Sequence, residues 1–247
     1  RAGELIAQNY QHVQAATHCL LEVEVLLSSY CQQPCEVHLF GSSEYACALI
    51  GSDIDIALGW FPRELTVQEA MEGLVATLRA EGWTAVKYSR YKKTVEGKWR
   101  GIPVDLRWGG DHLVEAACTL RDVIDAHTGA QELALLLKEW AKRSGLLKDG
   151  VKSIHFVFLA VCFVRYRDPS VGDHAATFRA CVRFLAQECP LAGWSFHPFA
   201  GAGDACVQPC SAGPVLRQYD GYNCWEGAAG VAPVGPALQG LLRELGP

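Results

Sequence analysis

A chain of 247 residues that is 50% hydrophobic can bury a sizeable core, enough for two compact lobes. Its most apolar run, Ile154 to Val164, is shorter than the roughly 18–20 residues a bilayer crossing needs, which excludes a spanning helix there and predicts a buried one. With 22 basic against 27 acidic residues the net charge is −5, which argues against unaided tight binding to a polyanion.

Along the chain, Glu4 to Ser29 carries apolar residues (Leu5, Val13, Ala16, Leu20, Val23, Leu27) at helical spacing. Pro34 and Cys35 lead into a short strand, Val37 to Phe40. Gly41-Ser42 then turns the chain toward a helix predicted over roughly Ser43 to Ile50. Asp53-Ile54-Asp55-Ile56-Ala57-Leu58 reads as a strand whose acids point one way while Ile54, Ile56 and Leu58 point into a core. A helix over Thr66 to Glu81 and strands at Trp83 to Tyr88 and Val104 to Trp108 complete a small mixed sheet covered by helices. From about Asp111 the pattern becomes helical. Gln131 to Ser144 places Leu133, Leu136, Leu137 and Trp140 toward a core, and Gly145 stands where that helix should stop. Phe178, Cys181, Val182 and Leu185 form another apolar stripe. Leu191 to Pro236, rich in Gly, Pro and Ala, reads as loops, with Ala200 to Pro214 loose enough to be mobile. These shifts divide the chain at 1–119 and 120–247, with the N-terminal helix 4–29 expected to pack on the second lobe.

Chemistry concentrates in a few places. Glycine at Gly41 lets backbone approach a phosphate closely, and the free N–H groups of a helix start after Ser42 favour an anion. Asp53 and Asp55 repel each other in water but can share divalent metals. Asp105, flanked by Val104 and Leu106 on the opposite strand face, supplies a third outward acid. Lys87 to Lys93 and Lys98-Trp99-Arg100 interleave basic and aromatic residues. Lys92, Lys93, Lys98 and Arg100 could therefore follow a single strand by charge and stacking, or simply solubilise an exposed hairpin. Lys138 and Lys142, four apart, share a helix face. The eleven cysteines lack zinc-knuckle spacing (Cys31-x3-Cys35, Cys206-x3-Cys210), and several sit in apolar helical patterns, so free thiols in a reducing compartment are expected.

Taken together, Gly41-Ser42, Asp53-x-Asp55 and the later Asp105 resemble the nucleotidyltransferase superfamily that includes DNA polymerase beta. More narrowly they resemble its terminal uridylyltransferase branch, the trypanosomal enzymes included, and the related poly(A) polymerases. The resemblance implies an α+β fold: a small mixed β-sheet, palm-like lobe and a mainly helical second lobe with the active site in the cleft. By the same resemblance Asp53, Asp55 and Asp105 would bind two Mg2+ or Mn2+ ions. Gly41, Ser42 and Ser52 would contact a triphosphate, UTP or alternatively ATP, and an RNA 3′ end would attack. Lys138-x-Trp140-x-Lys142 followed by Gly145-Leu146 matches the family's β- and γ-phosphate helix and carries the resemblance into the second lobe. Given the net charge, a partner protein or larger RNA-processing complex is expected to deliver the RNA.

Some family positions are altered. The usual Ser-Tyr pair is here Ser153-Ile154. Ser153 keeps a phosphate donor, but the aromatic stacking face, worth roughly 1–3 kcal/mol per base, is gone. The family's C-terminal acidic pair is reduced to Asp220, with Arg217 in place of the first acid. The Asn-Ser after the third strand aligns with His112-Leu113. These departures leave UTP selectivity open. They also motivate a second reading, a transferase-fold scaffold in an RNA-processing or ribosome-assembly complex. Transfer to a small molecule, as in aminoglycoside-modifying transferases, shares Gly-Ser and Asp-x-Asp but does not call for the Lys138/Lys142 helix. A first residue Arg1 in place of methionine leads to the expectation of a processed or truncated N-terminus, and the expected reducing compartment is mitochondrial or, alternatively, cytoplasmic.

Overall fold

The computed structural model describes residues 1–59, 65–148, 151–167, 173–191, 194–200, 204–210, 215–216 and 232–246. Two compact units emerge: Ala7–Arg121, and Arg1–Ile6 with Asp122–Pro247. None of the described helices is long and apolar enough to cross a membrane.

The first unit is a sheet backed by two helices. Helix α1 (Ala2–Cys31) buries Ala16, Cys19, Val23 and Leu27, a stripe at helical spacing. Strand β1 (Val37–Phe40) and the single turn α2 (Gly41–Glu44) precede β2 (Ile54–Leu58). Helix α3 (Val67–Ala80) begins on a capping box: Thr66 Oγ accepts from the Glu69 N–H at 3.2 Å, and the Glu69 carboxylate accepts from the Thr66 N–H at 2.9 Å. Strands β3 (Thr84–Ser89), β4 (Thr94–Trp99) and β5 (Ile102–Trp108) follow, then α4 (Asp111–Asp125). The order is β1-β2-β5-β4-β3, with β2 and β5 parallel and the other neighbours antiparallel. Arg100 and Gly101, both at positive φ, form the tight turn between β4 and β5. Alternation puts Ile54, Ile56, Leu58, Val104 and Leu106 on the buried face, in one apolar cluster with α1 and α3. Each fully buried Ile or Leu contributes about 1.5–3 kcal/mol relative to exposure, so the floor beneath the opposite face is stiff.

The second unit is mainly helical. The first turn of α1 belongs to it, Arg1 donating to Glu139 at 2.6 Å. Helix α5 (Ala130–Arg143) ends in a Schellman motif. Leu146 N–H bonds to Ala141 O at 3.0 Å and Gly145 N–H to Lys142 O at 3.2 Å, with Gly145 at φ +66. This is the stop the glycine predicts. Helix α6 (Ser153–Arg167) is buried at every residue from His155 to Val164, as its apolar run predicts. Helix α7 (His174–Arg183), capped by Asp173, passes into a π-helical turn at Phe184–Glu188. Helix α8 (Val234–Leu245) packs against both.

Two expectations need correction. The helix predicted over Ser43 to Ile50 stops at Glu44. Asn9 Oδ1 accepts from the Ala48 N–H (2.8 Å) and Ser52 Oγ from the Leu49 N–H (3.0 Å), so side chains capture backbone donors a longer helix would have used. The stretch from Leu191 to Pro236 is not all loop. It contributes strands β6 (Trp194–Phe196), β7 (Val207–Pro209) and β8 (Val215–Leu216) of a small sheet, ordered β7-β6-β8, and the start of α8. Strands of two or three residues are too short for alternation to show.

Candidate active site

Register brings the acids together. Asp55 of β2 lies directly opposite Asp105 of β5 in the parallel pairing, and Asp53 immediately precedes β2. One oxygen from each of the three lies within 4.8 Å of the others. The row continues across the sheet as Phe40, Asp55, Asp105, Glu96 and Lys87, one residue from each strand. Glu96 is thus a fourth acid in line with the triad, a position that sequence spacing alone does not disclose.

Gly41 has a specific reason to be glycine. Its φ is +66, and a Cβ there would collide with the Asp55 carboxylate. The backbone after β1 therefore closes directly over one of the acids. Ser42 and Ser43 are buried, and His12 of α1 bonds Ser43 Oγ at 3.0 Å. Together with Asn9, this fixes the segment between the glycine and Ser52 from the α1 side. Sequence reading missed Asn9 and His12, because polar residues on an amphipathic helix read as solvent-facing.

The electrostatics follow from the crowding. Burial, then the Asp53 and Glu96 charges, raise the Asp105 carboxyl above the usual aspartate range, with Lys92 and Lys87 working the other way. Tyr45 is fully buried behind the site. Its phenol is pushed well up by desolvation, with Cys47, Asp55 and Asp53 adding to the shift. Glu96 is held below its ordinary value by hydrogen bonds from Lys87 and Lys92, with ion-pair distances of 2.8 and 2.9 Å. Three converging carboxylates, with Asp105 destabilised as an anion by its neighbours, make an all-oxygen donor set that fits a hard divalent cation. Beside them opens a cavity of about 350 Å³. Its other walls are Phe40, Tyr91, Lys92, Thr94 and Arg107.

The remaining candidate residues are distributed as follows. Ser52 braces the segment before Asp53. In the other unit, Lys138 on α5 is buried (1% exposed) and partnered, Lys142 on the same helix is exposed, and Ser153 opens α6. Trp140 is half-buried, edge-on to Phe156 at 6.1 Å. Asp220 lies outside the described residues, as do Arg217 and Asn223.

The basic-aromatic segment is not a continuous strip. Lys92 is paired with Glu96, and Arg100 reaches Glu22 at 3.5 Å and covers Trp99. Trp99 itself is in the core. Lys93 and Lys98 are exposed. Strand alternation sends Trp99 inward, Lys92 finds an acid four residues on, and Arg100 finds one on α1, so the segment is in part an exposed hairpin of paired charges.

No protein-family model and no curated protein sequence matches the chain. Solved structures do. A cytoplasmic RNA terminal U-transferase superposes with a TM-score of 0.74 at 12% identity, over 94% of this chain and 88% of that one. The Cid1 poly(U) polymerase with MgGTP gives 0.78 at 12%, over 96% and 90%. Cid1 with the UTP analogue UMPNPP gives 0.75 at 13%, over 94% and 87%. At this identity the likeness speaks for the fold, an α+β nucleotidyltransferase fold shared with the Cid1-type RNA terminal uridylyltransferases.

Proposed function

We propose that this chain transfers a nucleotide from a nucleoside triphosphate to the 3′ end of an RNA, with UTP as its preferred substrate and ATP next. The observation that carries the reading is the meeting of Asp53, Asp55 and Asp105 under the Gly41-Ser42 turn. Two Mg2+ or Mn2+ ions held by these carboxylates would stabilise charge on the attacking and leaving oxygens of an in-line displacement. Asp55 and Asp105 are held in place by the β2–β5 ladder, and the close approach of Gly41 restricts the space over Asp55. Ser42 and Ser52 are assigned to the nucleotide, as are Lys138, Lys142, Ser153 and Asp220 on the strength of the family motifs alone, and pyrophosphate leaves. The net charge of −5 supports delivery of the RNA by a partner protein or a larger RNA-processing complex.

The test is incubation of an oligoribonucleotide with each of the four nucleoside triphosphates and Mg2+ or Mn2+. Extension with UTP ahead of ATP is expected, and no extension with any of them, from intact protein with its natural partners, retires the catalytic reading. A second reading, a transferase-fold scaffold, is favoured by Ile154 in place of an aromatic residue. Calorimetric titration separates the two: cation-dependent UTP binding supports the enzyme, and its absence supports the scaffold.

A further inference from the structure

Arg107 differs from the other cations of β3, β4 and their turns: Lys93 and Lys98 are exposed to water and the rest are paired, whereas Arg107 is half-buried. It is two residues beyond Asp105 on β5 and so on the same face, about 6.6–7 Å farther along the strand. In the ladder it lies between Ala57 of β2 and Thr94 of β4, and it lines the same cavity as Asp55 and Asp105. Lys87 and Lys92 are matched to Glu96, Arg90 to Glu72 and Arg100 to Glu22. Arg107 is half-buried, yet among the described residues its side chain makes no ion pair or hydrogen bond. A guanidinium presents planar, paired donors suited to a phosphate, and withdrawing one from water without an anion is costly.

The acids that line the same cavity, Asp55 and Asp105, are assigned to the cations, so the charge of Arg107 calls for another anion. At the cavity, Tyr91 is 99% exposed and offers an aromatic face. Resting on the RNA 3′-transferase reading, we propose that Arg107 binds the last internucleotide phosphodiester of the acceptor RNA, with its 3′-hydroxyl toward Asp105 and its terminal base against Tyr91. The triphosphate of the incoming nucleotide shares this phosphate chemistry, so the test must tell the two apart.

Fluorescence anisotropy would measure binding of an oligoribonucleotide ending in a 3′-deoxynucleotide, so that no transfer is needed for the readout. Two forms are compared: one with natural linkages, one with a neutral methylphosphonate at the last linkage. Wild-type protein should bind the neutral form about tenfold more weakly. Arg107→Gln should weaken binding of the natural form by a similar factor and lose nothing further on the neutral form. The log–log salt slope should fall by about 0.7 for one phosphate contact on a single strand. Arg107→Lys should recover part of the loss, and UTP affinity should stay within about twofold of wild type. Equal wild-type affinity for both linkages, additive losses in the variant, or weakened UTP binding instead would overturn the assignment. The neutral linkage tests wild-type protein directly and does not depend on how any variant folds. Absence of extension alongside Arg107-dependent RNA binding would remove the transferase reading while leaving this contact standing.

Discussion

Across the sheet, Asp55 and Asp105 sit side by side on β2 and β5 with Asp53 next to them. From the neighbouring β4 outward the chemistry changes: Lys87 and Lys92 both close on Glu96, Arg90 on Glu72 and Arg100 on Glu22. The hairpin thus answers most of its charges within the protein, with Lys93 and Lys98 left to solvent, whereas the β2–β5 end gathers like charge over an apolar floor. Paired surface charges contribute little to stability, and crowded like charges cost stability unless a ligand completes them. On the proposed function, the contrast separates charge that serves the fold from charge that serves a substrate.

The largest expected effect tests the acidic end. Asp105→Ala should cut 3′ extension by about 10^3-fold or more, while UTP binding persists. The melting temperature should hold or rise, because removing Asp105 relieves repulsion from Asp53 and Glu96. A fall in melting temperature that parallels the lost activity would place Asp105 with the structural charges and erase the distinction.

Next comes a charge that the fold disfavours. His155, buried on α6, accepts from the Lys152 N–H through Nδ1 at 3.2 Å, and burial, reinforced by Lys152, lowers its pKa to about 4. The folded value lies below the ordinary one near 6.5, so between the two the unfolded chain binds more protons. The contribution is complete above pH 6.5 and falls away as pH drops toward 4, by up to roughly 3 kcal/mol. Urea denaturation across that window should show the slope in wild type and a flatter one in His155→Gln. An unchanged slope would assign the acid sensitivity elsewhere.

Gly41→Ala addresses the backbone over the triad. The left-handed φ and the collision with the Asp55 carboxylate should cost about 1–2 kcal/mol in stability. Extension should drop by about tenfold or more through misplaced acids. Normal activity would show that the turn has room to move without disturbing Asp55.

The smallest effect is expected on the hairpin. Glu96→Gln should change unfolding free energy by no more than about 1 kcal/mol, since Lys87 and Lys92 are well exposed. A loss several times larger would mean that the Lys87–Glu96–Lys92 group is a structural core in its own right.

Local features were legible because their causes are local. Period-2 alternation sorted Asp53 and Asp55 from Ile54 and Ile56, Thr66-x-x-Glu69 opens α3, Gly145 closes α5, and a continuous apolar run marks α6. The same alternation, carried one strand further, would have placed Trp99 in the core. Its neighbours Lys98 and Arg100 drew attention to charge instead.

The chain order of residues thus determined which side chains share a face, where helices start and stop, and that three acids would stand on strands above an apolar layer. Only the tertiary structure decided which strands lie side by side. The parallel β2–β5 pairing puts Asp55 against Asp105, β4 adds Glu96 to the row, and Asn9 and His12 reach the turn after Gly41 from α1. It likewise decided which cations find an acid and which, like Arg107, find none among the described residues. The physical reason is range. Alternation and capping act over a few residues of chain, whereas register and ion pairing depend on distances in space between segments tens of residues apart.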